Sequence, residues 1–360
     1  MKELNIRGKK IKLPVFLPDA TKGYVRAVSS SDLVDCNIQG VVVNTYHLFR
    51  EGLVNEIKKK GGIGKWMDFK GLTLSDSGGF QVFSLIHANK ENGYLDDDGA
   101  TFVLDGHRAE LTPEKCIQIQ IDIGADIVMC LDDCTSVDMS LEAQEKSVER
   151  TVKWAKRCKK EFENLTKNLD DCEKPLIFGI IQGGKNFDLR KKCADELIKI
   201  GFDGYAFGGW PVEDKKFLTD LLKYTAELMP DDKLKYAMGV GKPEDIVNCV
   251  CMGYNMFDCV IPTREARNNR LYAFKSGFFG GIKKPRGDNG FYDYVRIRNT
   301  EQKKNKKPIS KHCKGICCKN YQSKDIYELF KAKDKESIRL TTMHNLRFYT
   351  MLMRMLRKGK

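Results

Sequence analysis

The sequence predicts an α/β fold, a (β/α)8 TIM barrel carrying a small subdomain toward its C-terminus. Three observations lead there. Short apolar runs bounded by turn residues recur along the 360 residues, with amphipathic stretches between them. Such strand-then-helix repetition builds a parallel sheet covered by helices. The residues that directly follow the runs are acids, amides and glycines. The composition also changes abruptly near residue 280.

In chain order the apolar runs are 40–43, 72–74, 126–131, 176–181, 204–207, 236–240 and 256–260. A weaker eighth strand is expected near 101–104. Helical periodicity marks 113–121, 141–160, 189–200, 214–228 and 243–252. Eight units favour a closed barrel over an open sheet, so residues 1–279 read as the catalytic body. From 280 to 311 the chain is rich in Gly, Lys and Arg and lacks helical period. Residues 280–360 therefore read as a basic segment and a small subdomain. That subdomain ends in a helix over 345–356, with Leu346, Tyr349, Leu352, Met353 and Leu356 on one face.

Charge is distributed unevenly. The formal net charge is +13. Residues 261–360 hold 26 Lys+Arg against 8 Asp+Glu, and the remaining 260 residues hold 36 against 41. A mildly acidic body with a basic last quarter suits a docked polyanion such as a nucleic acid. A solvated lysine-rich surface is the plainer alternative. No apolar run approaches the roughly 18 residues of a membrane span, and no signal-peptide core follows Met1, so a cytoplasmic protein without membrane contact is expected. The 13 cysteines are scattered, several within apolar runs, which suits free thiols in a reducing compartment.

In a barrel, residues just past the strand ends converge on one mouth. Those positions here are Asn44, Asp76, Asp132, Gln182, Gly208-Gly209, Met238-Gly239 and Asp258. Turn residues are favoured at strand ends in any fold, but this set is unusually rich in acids and amides. The stretch Thr73-Leu-Ser-Asp-Ser-Gly-Gly-Phe-Gln81 offers an acid, bare backbone, a flat ring and an amide, which together suit a planar heterocycle. Asp258, with apolar neighbours on both sides, could attack a sugar C1′ as in retaining glycosyl transfer. Asp76 could protonate a leaving base, provided the surroundings push the two carboxyl pKa values apart. Asp132 could accept from a guanine-like edge, Gln182 could bond a carbonyl, and Gly209 could offer its backbone N–H. Arg264 and Arg267 lie six and nine residues past Asp258 and could clamp phosphate. Cys313, Cys317 and Cys318, with His344 beyond, could close a tetrahedral zinc site, although adjacent Cys317 and Cys318 make awkward joint ligands. No Walker loop, dinucleotide fingerprint or His-Glu-x-x-His motif occurs, and no candidate strand-end residue is a lysine for a Schiff base.

These motifs resemble the tRNA-guanine transglycosylase family, whose members exchange guanine in a tRNA anticodon for a 7-deazaguanine. The matching stretches are Asn44-Thr45-Tyr46-His47-Leu48, 75–81, 126–135, 179–183, 201–209, 238–246, 256–267 and 313–321 with His344-Asn345, in family order along nearly the whole chain. The resemblance implies a pentosyltransferase of queuosine biosynthesis acting on GUN-anticodon tRNA. Asp258 would be the nucleophile, held by Asn44, and Asp76 the general acid/base. Ser77, Asp132, Gln182 and Gly209 would bind the base, with Phe80 and Met238 sandwiching its ring. Arg264 and Arg267 would grip the anticodon backbone. A structural Zn2+ and a homodimer are implied as well. Cys134 and Val212 look bacterial and favour the small base preQ1 over queuine. Queuine use, a non-catalytic tRNA-binding accessory role and a DNA-directed deazapurine exchange stand as alternatives. The chain departs from the family pattern at Trp210-Pro211, at Glu213-Asp214, and at Gly315, which stands where the middle Cys of the zinc motif belongs.

Overall fold

The computed structural model describes residues 1–104, 106–136, 139–214, 216–275 and 290–358. Its centre is an eight-stranded parallel sheet: β1 (Val15–Pro18), β2 (Gly40–Asn44), β3 (Leu72–Asp76), β4 (Ile127–Met129), β5 (Leu176–Ile181), β6 (Gly204–Phe207), β7 (Leu234–Ala237) and β8 (Met256–Cys259). The hydrogen-bonded order is β1-β8-β7-β6-β5-β4-β3-β2. The seam between β1 and β2 closes just past β1. Ala20 N donates to Val42 O at 2.7 Å, and Asn44 N donates to Thr21 O at 3.3 Å. The sheet is thus a TIM barrel with all strand C-termini at one mouth.

One expectation is corrected. The eighth strand is not near 101–104. Ala100–Leu104 pairs antiparallel with Gly93–Leu95 and His107–Leu111 in a separate three-stranded sheet. Its residues alternate between buried and open positions, and Val103 is exposed, as suits a sheet with one solvated face. The missing barrel strand is Val15-Phe16-Leu17-Pro18, buried at all four positions. Its shortness and terminal proline hide it among loop-like neighbours. Proline is tolerated there because it sits at the strand's end.

Alternation along the strands sorts side chains between two cores. Val15, Leu17, Val42, Leu72, Leu74, Met129, Phe178, Ile180, Tyr236 and Met256 fill the barrel interior. The hairpin Glu3–Ile6/Lys9–Lys12 adds Leu4, Ile6 and Ile11 to the same cluster. Lys9 Nζ donates to Gly71 O at 3.0 Å and to Asp126 Oδ2 at 2.5 Å, both at strand N-terminal ends. That end is plugged, which leaves the opposite mouth for chemistry.

The outer core lies between the barrel and its helices and includes the terminal helix, Lys335–Lys358. Leu346, Tyr349, Leu352, Met353 and Leu356 are all buried, as the apolar face predicted. Phe16 of β1 packs against Tyr349 with ring centroids 4.6 Å apart, and Tyr349 OH donates to Gly241 O at 2.6 Å. This helix therefore covers the β8–β1 side of the barrel. Between β8 and this helix lie the hairpin Arg270–Phe274/Tyr292–Arg296 and a third apolar cluster containing Leu271, Ile297, Ile326 and Leu340. The expected division at 279/280 and the first part of the basic segment lie outside the described residues. Among the described residues no helix is long and apolar enough to cross a membrane.

Candidate active site

Register places Asn44 directly beside Asp76 across β2 and β3. Asn44 Nδ2 donates to Asp76 Oδ2 at 2.7 Å. The Asn44 oxygen accepts from His47 N at 3.1 Å and so caps the helix Thr45–Arg50. One amide thus ties the start of a helix to a carboxylate in the mouth. The pairing with Asp258 expected for Asn44 is not the one observed. Gly78 takes φ +80 to turn the chain from β3 into the helix Gly79–Ala88, and a Cβ there would meet Tyr46 at 2.8 Å. Glycine is therefore required both by conformation and by space. Gly78 N donates to the second Asp76 oxygen at 3.4 Å. Burial, and next the charge of Asp258, push the Asp76 carboxyl up to about 6.

Asp258 on β8 is half-buried. Tyr236 OH, at the neighbouring strand's end, donates to Asp258 Oδ1 at 2.7 Å, and Gly239 N donates to the same oxygen at 2.8 Å. Both bonds fall on Oδ1, which leaves Oδ2 as the oxygen to act. Burial raises the Asp258 pKa, and the two donors pull it back down. The same burial and the Asp258 charge hold the Tyr236 phenol well above its ordinary value, so it remains a donor.

Asp132, just past β4, is buried. Gln182 Nε2 donates to its Oδ2 at 2.6 Å, and Ser77 Oγ lies 3.4 Å from its Oδ1. Burial pushes this carboxyl up to about 7. Gln182 Oε1 is buried and has no hydrogen-bond partner among the described residues. The neighbouring acid does different work. Asp133 pairs with Arg150 of the helix Leu141–Thr166 and is tied to Thr151 and Ser147.

Asp76, Phe80, Asp132, Gly209, Met238 and Asp258 line one cavity of about 410 Å3. Asn44, Ser77 and Gln182 stand behind it, bonded to its carboxylates. Phe80 and Trp210, both in the cavity lining, meet edge to face with centroids 5.3 Å apart, and both are partly exposed. Arg264 and Arg267 occupy the helix Ile261–Arg267 that follows β8. Arg264 is exposed. Arg267 is half-buried, with an Nη1 that finds no hydrogen-bond partner among the described residues. Burial, together with the nearby charges of Arg26 and Arg264, lowers the Arg267 pKa. Neither arginine lines the cavity; both lie on the helix that follows the strand of Asp258.

Three contributors were missed from sequence. Asp19 follows the unrecognised β1 and is close enough for its charge to bear on both Asp258 and Arg267. Its signal, an apolar run ending in an acid, was present in Val-Phe-Leu-Pro-Asp. Tyr236 read only as a strand residue. Arg190 lies in the stretch read only as helical periodicity, yet it is fully buried and donates to Gly184 O, Ile181 O and Gly208 O at 2.9, 3.2 and 3.0 Å. It binds together the two loops that carry Gln182 and Gly209.

Beyond the barrel strands, Cys313, Cys318 and His344 bring one donor atom each within 4.8 Å of one another. Cys318 Sγ lies 3.2 Å from His344 Nδ1, while His344 Nε2 bonds Tyr272 O at 2.8 Å. A carbonyl behind the ring sets the tautomer that leaves Nδ1 free to ligate. Two sulfurs and an imidazole suit zinc. Cys317 is buried next to Cys318 but its sulfur is not one of the converging three.

A profile described as queuine tRNA-ribosyltransferase matches residues 1–359. A queuine tRNA-ribosyltransferase of Psychrobacter sp. is 38% identical over 357 residues, covering 98% of this chain and 88% of its own. That of Halothermothrix orenii is 38% identical over 368 residues, covering 99% and 91%. That of Actinobacillus pleuropneumoniae is 38% identical over 353 residues, covering 97% and 85%.

Proposed function

The chain belongs to the queuine tRNA-ribosyltransferase family and is a tRNA-guanine transglycosylase, a pentosyltransferase; from that premise we propose that it replaces the wobble guanine of GUN-anticodon tRNAs with preQ1 through a covalent Asp258–ribosyl intermediate. The observation that carries this reading is the unequal pair of carboxyls in one cavity. Asp258 has one oxygen anchored by two donors. Asp76 is pushed up to about 6, where it can hold a proton and later accept one.

In the first half of the reaction, an Asp258 oxygen donates an electron pair to C1′ of the wobble nucleoside. The C1′–N9 bond breaks, and its electrons leave with guanine, which takes a proton from Asp76. In the second half, Asp76 as carboxylate removes the N9 proton of the incoming base. N9 then attacks C1′, and the Asp258 ester bond breaks. Two displacements at one carbon retain its configuration. The Tyr236 and Gly239 donors disperse the charge that returns to Asp258 in that last step.

Asp132 suits the N–H donors of the purine-like edge, with Gln182, Ser77 and the Gly209 backbone completing the base site. Phe80 and Met238 flank the ring. The aromatic pair in the lining and the Cys134 and Val212 walls favour the small aminomethyl substituent of preQ1 over bulky queuine. Arg264 and Arg267 suit the phosphates beside the wobble nucleotide, and the basic last quarter suits the rest of the tRNA. Assembly as a homodimer, with residues 1–279 as the catalytic body and 280–360 as the basic, metal-holding part, belongs to the same reading. Zinc held by Cys313, Cys318 and His344 would neutralise two thiolates and pin the helix Ile316–Asn320 to the terminal helix.

The test is incorporation of labelled guanine into unmodified tRNA, followed by chase with preQ1 or queuine. Incorporation that Asp258→Ala abolishes, and faster displacement by preQ1, are expected. Native-rate exchange by Asp258→Ala would overturn the covalent reading, and faster chase by queuine would overturn the choice of base.

A further inference from the structure

We infer that the protein itself fills only three positions of its zinc site, and that Gly315 leaves the fourth to solvent. The inference rests on the reading that zinc is the metal held by Cys313, Cys318 and His344. Structural zinc is ordinarily held by four protein ligands in a tetrahedron. Three donor atoms converge here.

Gly315 marks the fourth corner. A Cβ built on it would lie 3.4 Å from Cys313 Sγ, so a side chain at 315 would grow into the donor group. The backbone does not call for glycine. Gly315 has φ −75 and ψ 163, an extended conformation open to any residue. The nearest neighbours of that Cβ, Cys313 Sγ and Arg347 Cγ, are both at ordinary contact distance. The missing side chain therefore leaves space that the fold does not otherwise use.

That space is present. Beside Gly315 a void of about 10 Å3 has Asp35, Cys36, Cys313, Cys317, His344 and Arg347 in its lining. Its size is about that of one water molecule, which also needs polar partners to stay. A bound metal ion and the surrounding sulfurs supply them. A thiol side chain from Cys36 or Cys317 would have to abandon its present place to fill the corner. Cys36 Sγ already donates to Met343 O at 3.4 Å. The Cys317 thiol bonds the sulfur of Cys318 and is not one of the three converging donors.

A site with one solvent position has fewer thiolates and releases its metal more readily than a four-ligand site. The experiment uses the full chain, stripped of metal and titrated with Co2+, whose near-ultraviolet sulfur-to-cobalt absorption scales with the number of bound thiolates. The expected intensity is that of two thiolates. Gly315→Cys should raise it by half and tighten zinc retention against a chelator by at least about tenfold, since even groups behind the ligands are worth that much. Cys36→Ser and Cys317→Ser should leave the spectrum unchanged. Three-thiolate intensity in the native chain, falling by a third in Cys36→Ser or Cys317→Ser, would overturn the inference alone. Failure of the native chain to take up cobalt or zinc would overturn the zinc reading with it. Should Gly315→Cys not fold, the native spectrum and the two serine variants still decide.

Discussion

Asp132→Asn should make the free protein more stable while weakening base binding. Burial holds the Asp132 carboxyl at about 7 against an ordinary 3.8. At 1.36 kcal/mol per pH unit, that gap corresponds to about 4 kcal/mol lost to the folded state when the group is ionised. The sign follows from the direction. A carboxyl whose folded value is raised binds its proton more tightly when folded, so its burden is full above about pH 7. It shrinks as pH falls and is gone near pH 4. Asparagine carries no charge, and the site can receive it. Ser77 Oγ can still donate to the amide oxygen. The Gln182 amide, whose Oε1 has no partner among the described residues, can turn to accept from the new NH2 group. Relaxation around the charge lowers the gain, so we expect about 2–4 kcal/mol at about pH 8 and less than half of that at about pH 5. Urea unfolding of both proteins at the two pH values measures it. In parallel the KM for the deazaguanine should rise at least about tenfold, because the amide presents a donor where the base also donates. A variant less stable than the native chain at the higher pH, or a gain that does not change with pH, would refute the reasoning.

Two further predictions concern residues that only the fold reveals. Tyr236→Phe removes one of the two donors on Asp258 Oδ1, a charge-assisted bond, so guanine exchange should slow about 10- to 100-fold. Because that bond lowers the Asp258 pKa, the acidic limb of the pH–rate profile should move to higher pH, and an unmoved limb would count against the assigned contact. Arg190→Met removes the side-chain donor from Gly184 O, Gly208 O and Ile181 O, of which Ile181 O keeps its bond from Gly208 N, and urea unfolding should show a loss of about 2–4 kcal/mol. The KM for the base should rise as the Gln182 and Gly209 loops loosen. Native stability together with native KM would show that these bonds are not what holds the loops.

Much of the site was legible before the fold was known, for a specific reason. A parallel barrel sends every strand end to one mouth, so reading the residue after each apolar run is already a reading of the site. Asp76, Asp132, Gly209 and Asp258 were found that way, and the cavity contains all four. The method failed where the strand itself was hidden. Val15-Phe16-Leu17-Pro18 was not recognised, so Asp19 beyond it was not either. Ala100–Leu104 took its place because a short β-branched run looks alike in a barrel and in a surface sheet.

Sequence by itself determined the architecture, the acids and amides available to the reaction, the basic last quarter and the family. These depend on residue type and local spacing, which the chain carries openly. Tertiary structure alone decided the pairings. It joined Asn44 to Asp76, set Tyr236 and Gly239 on a single oxygen of Asp258, and turned Asp132 to Gln182 while Asp133 went to Arg150. It also placed His344 between two cysteines about 30 residues away and showed the space beside Gly315. Such contacts depend on strand register, barrel closure and the direction in which each side chain leaves its backbone. A shift of one residue in any strand would send the same side chain to the other face.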